Sequence, residues 1–595
     1  MNLPSRTEID PKYRFDLTEI FDAPADWSTA REDLHDRLER LESLAADTPE
    51  TAAELEELLA ETEACYERRQ RLELYAQLSK NVNTDSESAA DRERALRETM
   101  AAFEPVAATV RRALGDLSEE TFEDLGGSLE EYRYYATNLR RQASHVRSPA
   151  VEDVIADHEE ARSGSDRILR EITTTDFDPP TLERPDGETV DVRMGNYRTE
   201  LSNPDRDYRR RVYEAYHAER NRFAATIVRA SAEKLAAAAT EADLRGYESI
   251  RDRDLRGTYP ESGLEPALPE SVHDTILEAV RANLEPYHRA QRVRREKLGL
   301  ETLRPWDRRV SLADSPAPDL DYEEARELIL ESLAPLGEEY VARARTFLDD
   351  RRIDVYPTQD KRTDIPAYCP SSAVDGAFVL ANFREDVRTT FFVAHELGHA
   401  LAVAYNREGP TRYATCPTAV CEIPSILHEL LLAEHCLKRG GPLAAHARNR
   451  LIECLAGNLY RNARTAAYNH ALATTVESGE ELTVERARSA YADLLEEFDP
   501  VYDRDGVPER TEGTGLRIPY SSYQYVLGAT GALAVRDRLR DGTLAADEYR
   551  GFLGRTGQRP PLESFAALDL DVRSHEPFER AAATFDGYLD ELESI

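Results

Sequence analysis

The stretch "TTFFVAHELGHALAVAYN", residues 389–406, places two histidines four apart in an apolar run, with a glutamate directly after the first. On an α-helix, residues i and i+4 project from one face, so His395 and His399 can offer imidazole nitrogens to a single ion. Glu396 lies about 100° around such a helix, where it can act on a water beside the ion without taking a ligand position. Two histidines satisfied by core hydrogen bonds would produce the same five letters. A zinc enzyme needs more: a third protein ligand, with one position left open for water.

The chain beyond the helix supplies a candidate. A third histidine six residues after His399 is excluded, because Ala402 and Tyr405 stand where that arrangement needs glycine and histidine. A closer glutamate is also absent, since Thr418 and Ala419 occupy the region. Further along, "CPTAVCEIPSILHELLLAEH" has Glu422 opening an apolar-periodic helix 23 residues after His399. The intervening loop carries Gly409, Pro410 and Pro417, enough to turn the chain antiparallel and return Glu422 to the ion. Glu429 shares the helical face of Glu422 and is placed to hydrogen-bond a ligating histidine. Cys416 and Cys421 lack the paired spacing of a structural zinc site and read as buried free thiols. His428 and His435 read as packed helix histidines.

On the N-terminal side of the histidines, "GAFVLANF" (Gly376–Phe383) is an apolar run bounded by Asp375-Gly376 and Arg384-Glu385-Asp386, and it reads as a short edge strand. From Asp26 to about Gly126, leucines recur at three- and four-residue intervals between charges, the pattern of long helices with solvated faces. "TTTDFDPPTLERPDGETVDVR" (173–193) breaks that pattern with prolines and a Pro-Asp-Gly turn, and predicts a β-hairpin at a lobe boundary. The expectation is a mainly helical protein with a small sheet beside the His-Glu helix. Its lobes are placed at 1–195 and 196–595.

Composition narrows the setting. The 595 residues carry a formal net charge of −38, from 114 acidic against 76 basic side chains. Only six of the basic ones are lysines. Nucleic acid is an unsuitable partner for such a surface. No run of about 18 apolar residues suggests a membrane span. The opening segment has no apolar signal-peptide region, and six cysteines are too few for a disulfide scaffold at this length. A reduced, cytoplasmic protein is expected.

"HELGHAL" followed by "CEIPSILHELLL" resembles the thimet oligopeptidase and oligoendopeptidase F family of zinc peptidases. "FDLTEIF" (15–21), "RANLEPYHRAQRVRREKLGLETLRPWD" (281–307) and "PAYCPSSAVDGAFVLANF" (366–383) extend the likeness over most of the chain. The resemblance implies one Zn2+ per chain held by His395, His399 and Glu422, with Glu396 as general base. It also implies a two-lobed helical clamshell whose deep central channel admits short peptides. By the same likeness the strand at Gly376, Ala377 and Phe378 holds the substrate backbone. Two departures stand out: Ala402 replaces a frequent histidine, and "RIPYSSYQYVLGATG" (517–531) lacks the histidine that precedes the paired tyrosines in the oligoendopeptidase F group. Tyr523 and Tyr525 keep the Tyr-x-Tyr spacing, with Tyr520 nearby, and by the likeness one of the three, Tyr525 first and Tyr523 next, is expected to stabilise the oxyanion. The implied activity is endopeptidase cleavage of oligopeptides. A zinc carboxypeptidase or dipeptidyl-carboxypeptidase is the alternative, and a non-catalytic metal-binding helical protein a remote one.

Acid-rich, lysine-poor composition resembles that of proteins from salt-accumulating halophiles. An acid excess this large repels itself in dilute buffer, and molar salt shortens the screening length to about 3 Å. The melting temperature is therefore expected to climb steeply between low and molar potassium chloride. A flat melting curve across that range contradicts the reading.

Overall fold

The leucine-spaced N-terminal segment forms the long helices its pattern predicts, Pro24–Leu44, Ala52–Val82 and Glu87–Gly115. In the first, Trp27, Leu34, Leu38 and Leu41 form one buried stripe, and the charges between them stay in solvent. Thr51 caps the second: its hydroxyl accepts the Glu54 N–H at 3.2 Å, and the Glu54 carboxylate accepts the Thr51 N–H at 3.1 Å. Trp27 Nε1 donates to the Leu72 carbonyl at 3.0 Å and ties the first helix to the second. Leucines of these helices, with Phe103 and Val110 of the third, make a first hydrophobic core. The computed structural model describes residues 3–127, 129–152, 154–155, 164–256, 268–313, 316–512 and 519–593.

The predicted hairpin is present. Strands β1 (Thr181–Glu183) and β2 (Thr189–Asp191) pair antiparallel around the Pro-Asp-Gly turn, where Gly187 takes a φ of +88° that favours glycine. Helices then dominate to the C-terminus. A second, larger core gathers their apolar faces, from Val228 to Leu592.

The region read as one edge strand is built differently. It divides into β6 (Gly376–Ala377) and β7 (Val379–Ala381), and β7 is a central strand. On one side β7 pairs in parallel with β3 (Ile353–Asp354), on the other antiparallel with β4 (Ala367–Tyr368). β6 forms a tight antiparallel pair with β5 (Ser371–Ser372). The physical reason lies in the alternation of side chains. Phe378 and Leu380 enter the first core, whereas Ala377, Val379 and Ala381 enter the second. An apolar run with hydrophobic matter on both faces belongs inside a sheet. What decides between edge and centre is the second core, which the local sequence does not show.

Three helices frame the interior of the second core: the histidine helix (Val387–Asn406), the glutamate helix (Thr418–Arg439) and the tyrosine helix (Tyr523–Asp541). The histidine helix starts at Asp386, whose carboxylate accepts the Thr389 N–H at 2.6 Å. The glutamate helix is buried on nearly every face and passes between the other two. Glycines permit that passage. A Cβ on Gly398 would lie 2.6 Å from the Pro424 carbonyl oxygen and from Ser425 Cα, and one on Gly528 would overlap the Glu422 side chain. Among the described residues no helix is long and apolar enough to cross a membrane.

Gly398→Ala tests this approach. At an open helical site the exchange gains up to about 1 kcal/mol, but here the methyl must push backbone aside, and a loss of about 1–3 kcal/mol is expected. Chemical denaturation reads the sign. A stabilised variant means that the two helices are not in contact at this point.

Candidate metal centre

The histidine helix presents His395 and His399 on one face, and the return of the chain through Gly409 and Pro417 brings Glu422 opposite them. Glu422 Oε2 lies 3.4 Å from His395 Nε2 and 3.6 Å from His399 Nε2. The three donor atoms sit within 4.8 Å of one another. Each is fixed by a further partner. His395 Nδ1 donates to Glu429 Oε1 at 2.9 Å, which leaves its Nε2 lone pair for the ion. His399 has the Cys421 backbone beside it, which favours a proton on the ring. Ser425 Oγ donates to Glu422 Oε2 at 2.9 Å. Two imidazole nitrogens and one carboxylate oxygen, oriented in this way and facing a cavity, fit zinc with a position open to solvent.

Charges around the donors are strongly unequal. Burial pushes the Glu396 carboxyl up to about 7, against the pull of His395 and with the help of Glu422 and Glu429. Glu422 goes the other way: burial is outweighed by His399, by His395 and by the Ser425 hydroxyl, and the carboxyl is held down to about 2. Burial drives His399 down to about 4. His395 is raised well above its ordinary value, because hydrogen bonds to Glu422 and Glu429 overcome its burial. A carboxyl that titrates near neutrality beside two fixed imidazoles is suited to accept and return a proton.

The donors line one wall of a cavity of about 2160 Å³ that runs between the Ala52–Val82 helix and the second core. Of the three candidate tyrosines, Tyr525 lines this cavity. It stands three residues before Gly528, the residue pressed against Glu422, so its face of the tyrosine helix is the one turned to the donors. Tyr523 is fully buried with its ring edge-on to His273, and Tyr520 is buried with its hydroxyl 2.8 Å from His470 Nδ1. Arg517 and Ile518, which precede them in the expected motif, lie outside the described residues. Gly376, Ala377 and Phe378 are also placed inside the protein, and the cavity edge near them is carried by Ala367, Tyr368, Cys369 and Ser371.

His428 is a packed histidine, bonded through Nδ1 to the Ala394 carbonyl at 3.0 Å and through Nε2 to the Tyr340 hydroxyl at 2.8 Å. All six cysteines are free, and Cys416 and Cys421 are half-buried at the cavity wall instead of sealed in the core. Two contributors escaped the sequence reading. Ser425 had a signal, its place three residues after Glu422. Arg450, whose guanidinium donates to Glu429 Oε2 at 3.0 Å, had none, since it comes from a separate helix.

A model of the family described as Peptidase family M3 matches residues 200–584, and one described as Oligopeptidase F matches residues 114–178. The chain is 26% identical to Oligopeptidase PepF of Bacillus subtilis (strain 168), over 100% of its own length and 88% of that protein. It is 25% identical to an Oligoendopeptidase F homolog of Lactococcus lactis subsp. lactis (strain IL1403), over 99% and 98%. In fold it is similar to the crystal structure of oligoendopeptidase-F from Enterococcus faecium, with a TM-score of 0.71 at 21% identity over 96% and 98% of the two chains.

Glu422→Ala removes a donor and is expected to empty the site of zinc after dialysis, measured by atomic absorption. Glu429→Ala leaves the donors in place and should weaken zinc binding by about 10–100-fold. If the Glu429 variant alone loses its metal, the two glutamates have been assigned the wrong way round.

Proposed function

The chain belongs to peptidase family M3, and from that premise we propose how its residues carry out the work of a zinc-dependent oligoendopeptidase. His395, His399 and Glu422 hold one zinc ion, which supplies Lewis-acid polarisation of the scissile carbonyl and acidifies water. Glu396 accepts a proton from the attacking water and returns it to the departing amine. The Tyr525 hydroxyl donates to the oxygen of the tetrahedral intermediate, on the side of the substrate away from Glu396. Glu429, itself held by Arg450, keeps His395 in the tautomer whose Nε2 lone pair is free for the ion. Neighbouring backbone at Ala367–Tyr368, an edge strand on the cavity, offers pairing to an extended peptide.

The observation that carries this reading is the convergence of the three donor atoms within 4.8 Å beside Glu396, at the wall of a cavity of about 2160 Å³. That is roughly twice the largest volume usual for a small-molecule site, and it suits a peptide several residues long. A purely structural ion would need no buried base next to it. We place the boundary between lobes after the β1–β2 hairpin, at 195–196; in its support, the first core draws mainly on Phe15 to Leu139, joined by Phe378, Leu380 and Tyr413, and the second on residues from Val228 onward. Six free thiols and the −38 charge support a reducing, salt-rich cytoplasm as the place of action, without nucleic-acid partners.

Glu396→Gln removes the base and no metal donor. Zinc content should be retained while cleavage of a quenched fluorescent peptide falls by about two orders of magnitude or more. Tyr525→Phe keeps the ring and loses the hydroxyl. The expected loss is in kcat, about 2.7–4 kcal/mol if the phenol acts as a single oxyanion donor. Tyr520→Phe and Tyr523→Phe should stay within about threefold of the parent. Equal effects from all three, or none from Tyr525→Phe, remove Tyr525 from this role.

A further inference from the structure

The surface of this protein is strongly acidic, yet along the wall of its cavity arginines outnumber carboxylates. Many of them have partners. Arg450 is bonded to Glu429, and Arg461 shares Glu453 with Arg294, at 3.3 and 2.7 Å. Arg198 and Arg309 differ. Both line the cavity, and neither guanidinium has a hydrogen bond or ion pair among the described residues. Arg388 joins them from the first turn of the histidine helix, with one contact to the Thr199 hydroxyl at 3.4 Å and its guanidinium 5.5 Å from the centre of the Phe392 ring.

These groups feel one another. Burial, together with Arg198, Arg461 and Arg388, pushes the Arg309 guanidinium down to about 9 in spite of Glu453. Burial and Arg450 lower Arg388, and burial and Arg461 lower Arg198. Like charges gathered at a concave wall, offset only in part by Glu453 and Asp386, are costly, and an anion arriving there would relieve the repulsion and gain charge-assisted hydrogen bonds.

We propose that Arg198, Arg309 and Arg388 form a carboxylate-binding subsite of the channel, which takes the C-terminal carboxylate or an Asp or Glu side chain of the substrate three or four residues from the scissile bond. The proposal rests on the peptidase reading above. Its spacing comes from the histidine helix. Arg388 is seven residues before His395 and on the same face, so the two Cα atoms are about 10.5 Å apart. An extended peptide covers about 3.3–3.6 Å per residue, and the carboxylate therefore falls three or four residues from the metal donors. A dipeptide unit spans about 7 Å and falls short, so the subsite favours internal cleavage over removal of C-terminal dipeptides. It also gives an acidic protein a means of holding acidic peptides that its outer field repels.

The test measures binding separately from cleavage. N-terminally labelled nonapeptides are prepared as the free acid, as the amide, and as the amide with glutamate at successive positions. Their Kd values for zinc-loaded E396Q protein are measured by fluorescence anisotropy. The free acid, or one of the glutamate amides, should bind at least about tenfold tighter than the neutral amide. A gain in the free acid alone identifies the chain terminus as the source, and a gain in the glutamate amides identifies side chains. Adding R309Q and R388Q should bring the ratio to within about twofold. R198Q, which removes a guanidinium that reaches the cavity from a separate short helix, should lower the ratio at least threefold and serves if the double variant does not fold.

Equal binding of all peptides by E396Q protein overturns the subsite, as does a ratio that survives in every folded arginine variant. The unsubstituted zinc enzyme is assayed for cleavage of the same peptides. Absence of cleavage there counts against the peptidase reading, while the binding ratios still decide the subsite.

Discussion

The site depends on how closely the glutamate helix can pass its two neighbours. Glu422 comes from a different helix than the histidines, and its carboxylate reaches them only because the helix backbones nearly touch. Gly398 admits the Pro424 carbonyl on one side, and Gly528 admits the Glu422 side chain on the other. Any larger residue at either point would move the third donor outward by a few tenths of an ångström or more, in an interior packed too tightly to absorb it elsewhere. Coordination geometry is therefore set by the absence of two methyl groups. The same passage explains why Tyr525 faces the donors, since it shares its helical face with the glycine that lets the glutamate in.

Much of this was legible in the residues. The spacing of His395 and His399 defines one face of a helix, and the turn-forming loop followed by apolar periodicity pointed to Glu422, because both are local properties of a continuous segment. The long N-terminal helices and the hairpin were readable for the same reason. What could not be read were properties that arise when distant segments meet. Whether Gly376–Phe383 forms an edge or a centre depends on a second core lying against its other face. Arg450 reaches Glu429 from another helix, with no sequence signal linking the two. The tyrosine pair shows the limit within a single helix. Residues two apart point about 200° from each other, so Tyr523 and Tyr525 cannot both face the cavity, but a choice between them requires knowing which side the cavity occupies.

Charge is distributed at two scales that oppose each other. Over the whole molecule acidic groups dominate and are exposed, where salt screens them readily. In the cavity basic groups outnumber acidic ones and are shielded by low-dielectric walls, where screening is weaker and pairwise effects are larger. Salt that quiets the exterior thus leaves much of the interior field in place. Net charge alone misdescribes what a bound peptide would experience.

Strand β7 has a mechanical consequence. Its alternate side chains are anchored in two separate hydrophobic cores, so it behaves as a pin common to both halves of the molecule. Drawing the halves apart at this line would pull Leu380 from one core or Val379 and Ala381 from the other. Each such extraction costs about 1.5–3 kcal/mol for a fully buried large aliphatic side chain. Tyr413, which also enters the first core, and the Arg412–Glu63 ion pair at 3.0 Å add a second tie between the halves. The sheet beside the histidine helix is thereby the seam at which the two halves hold each other in place.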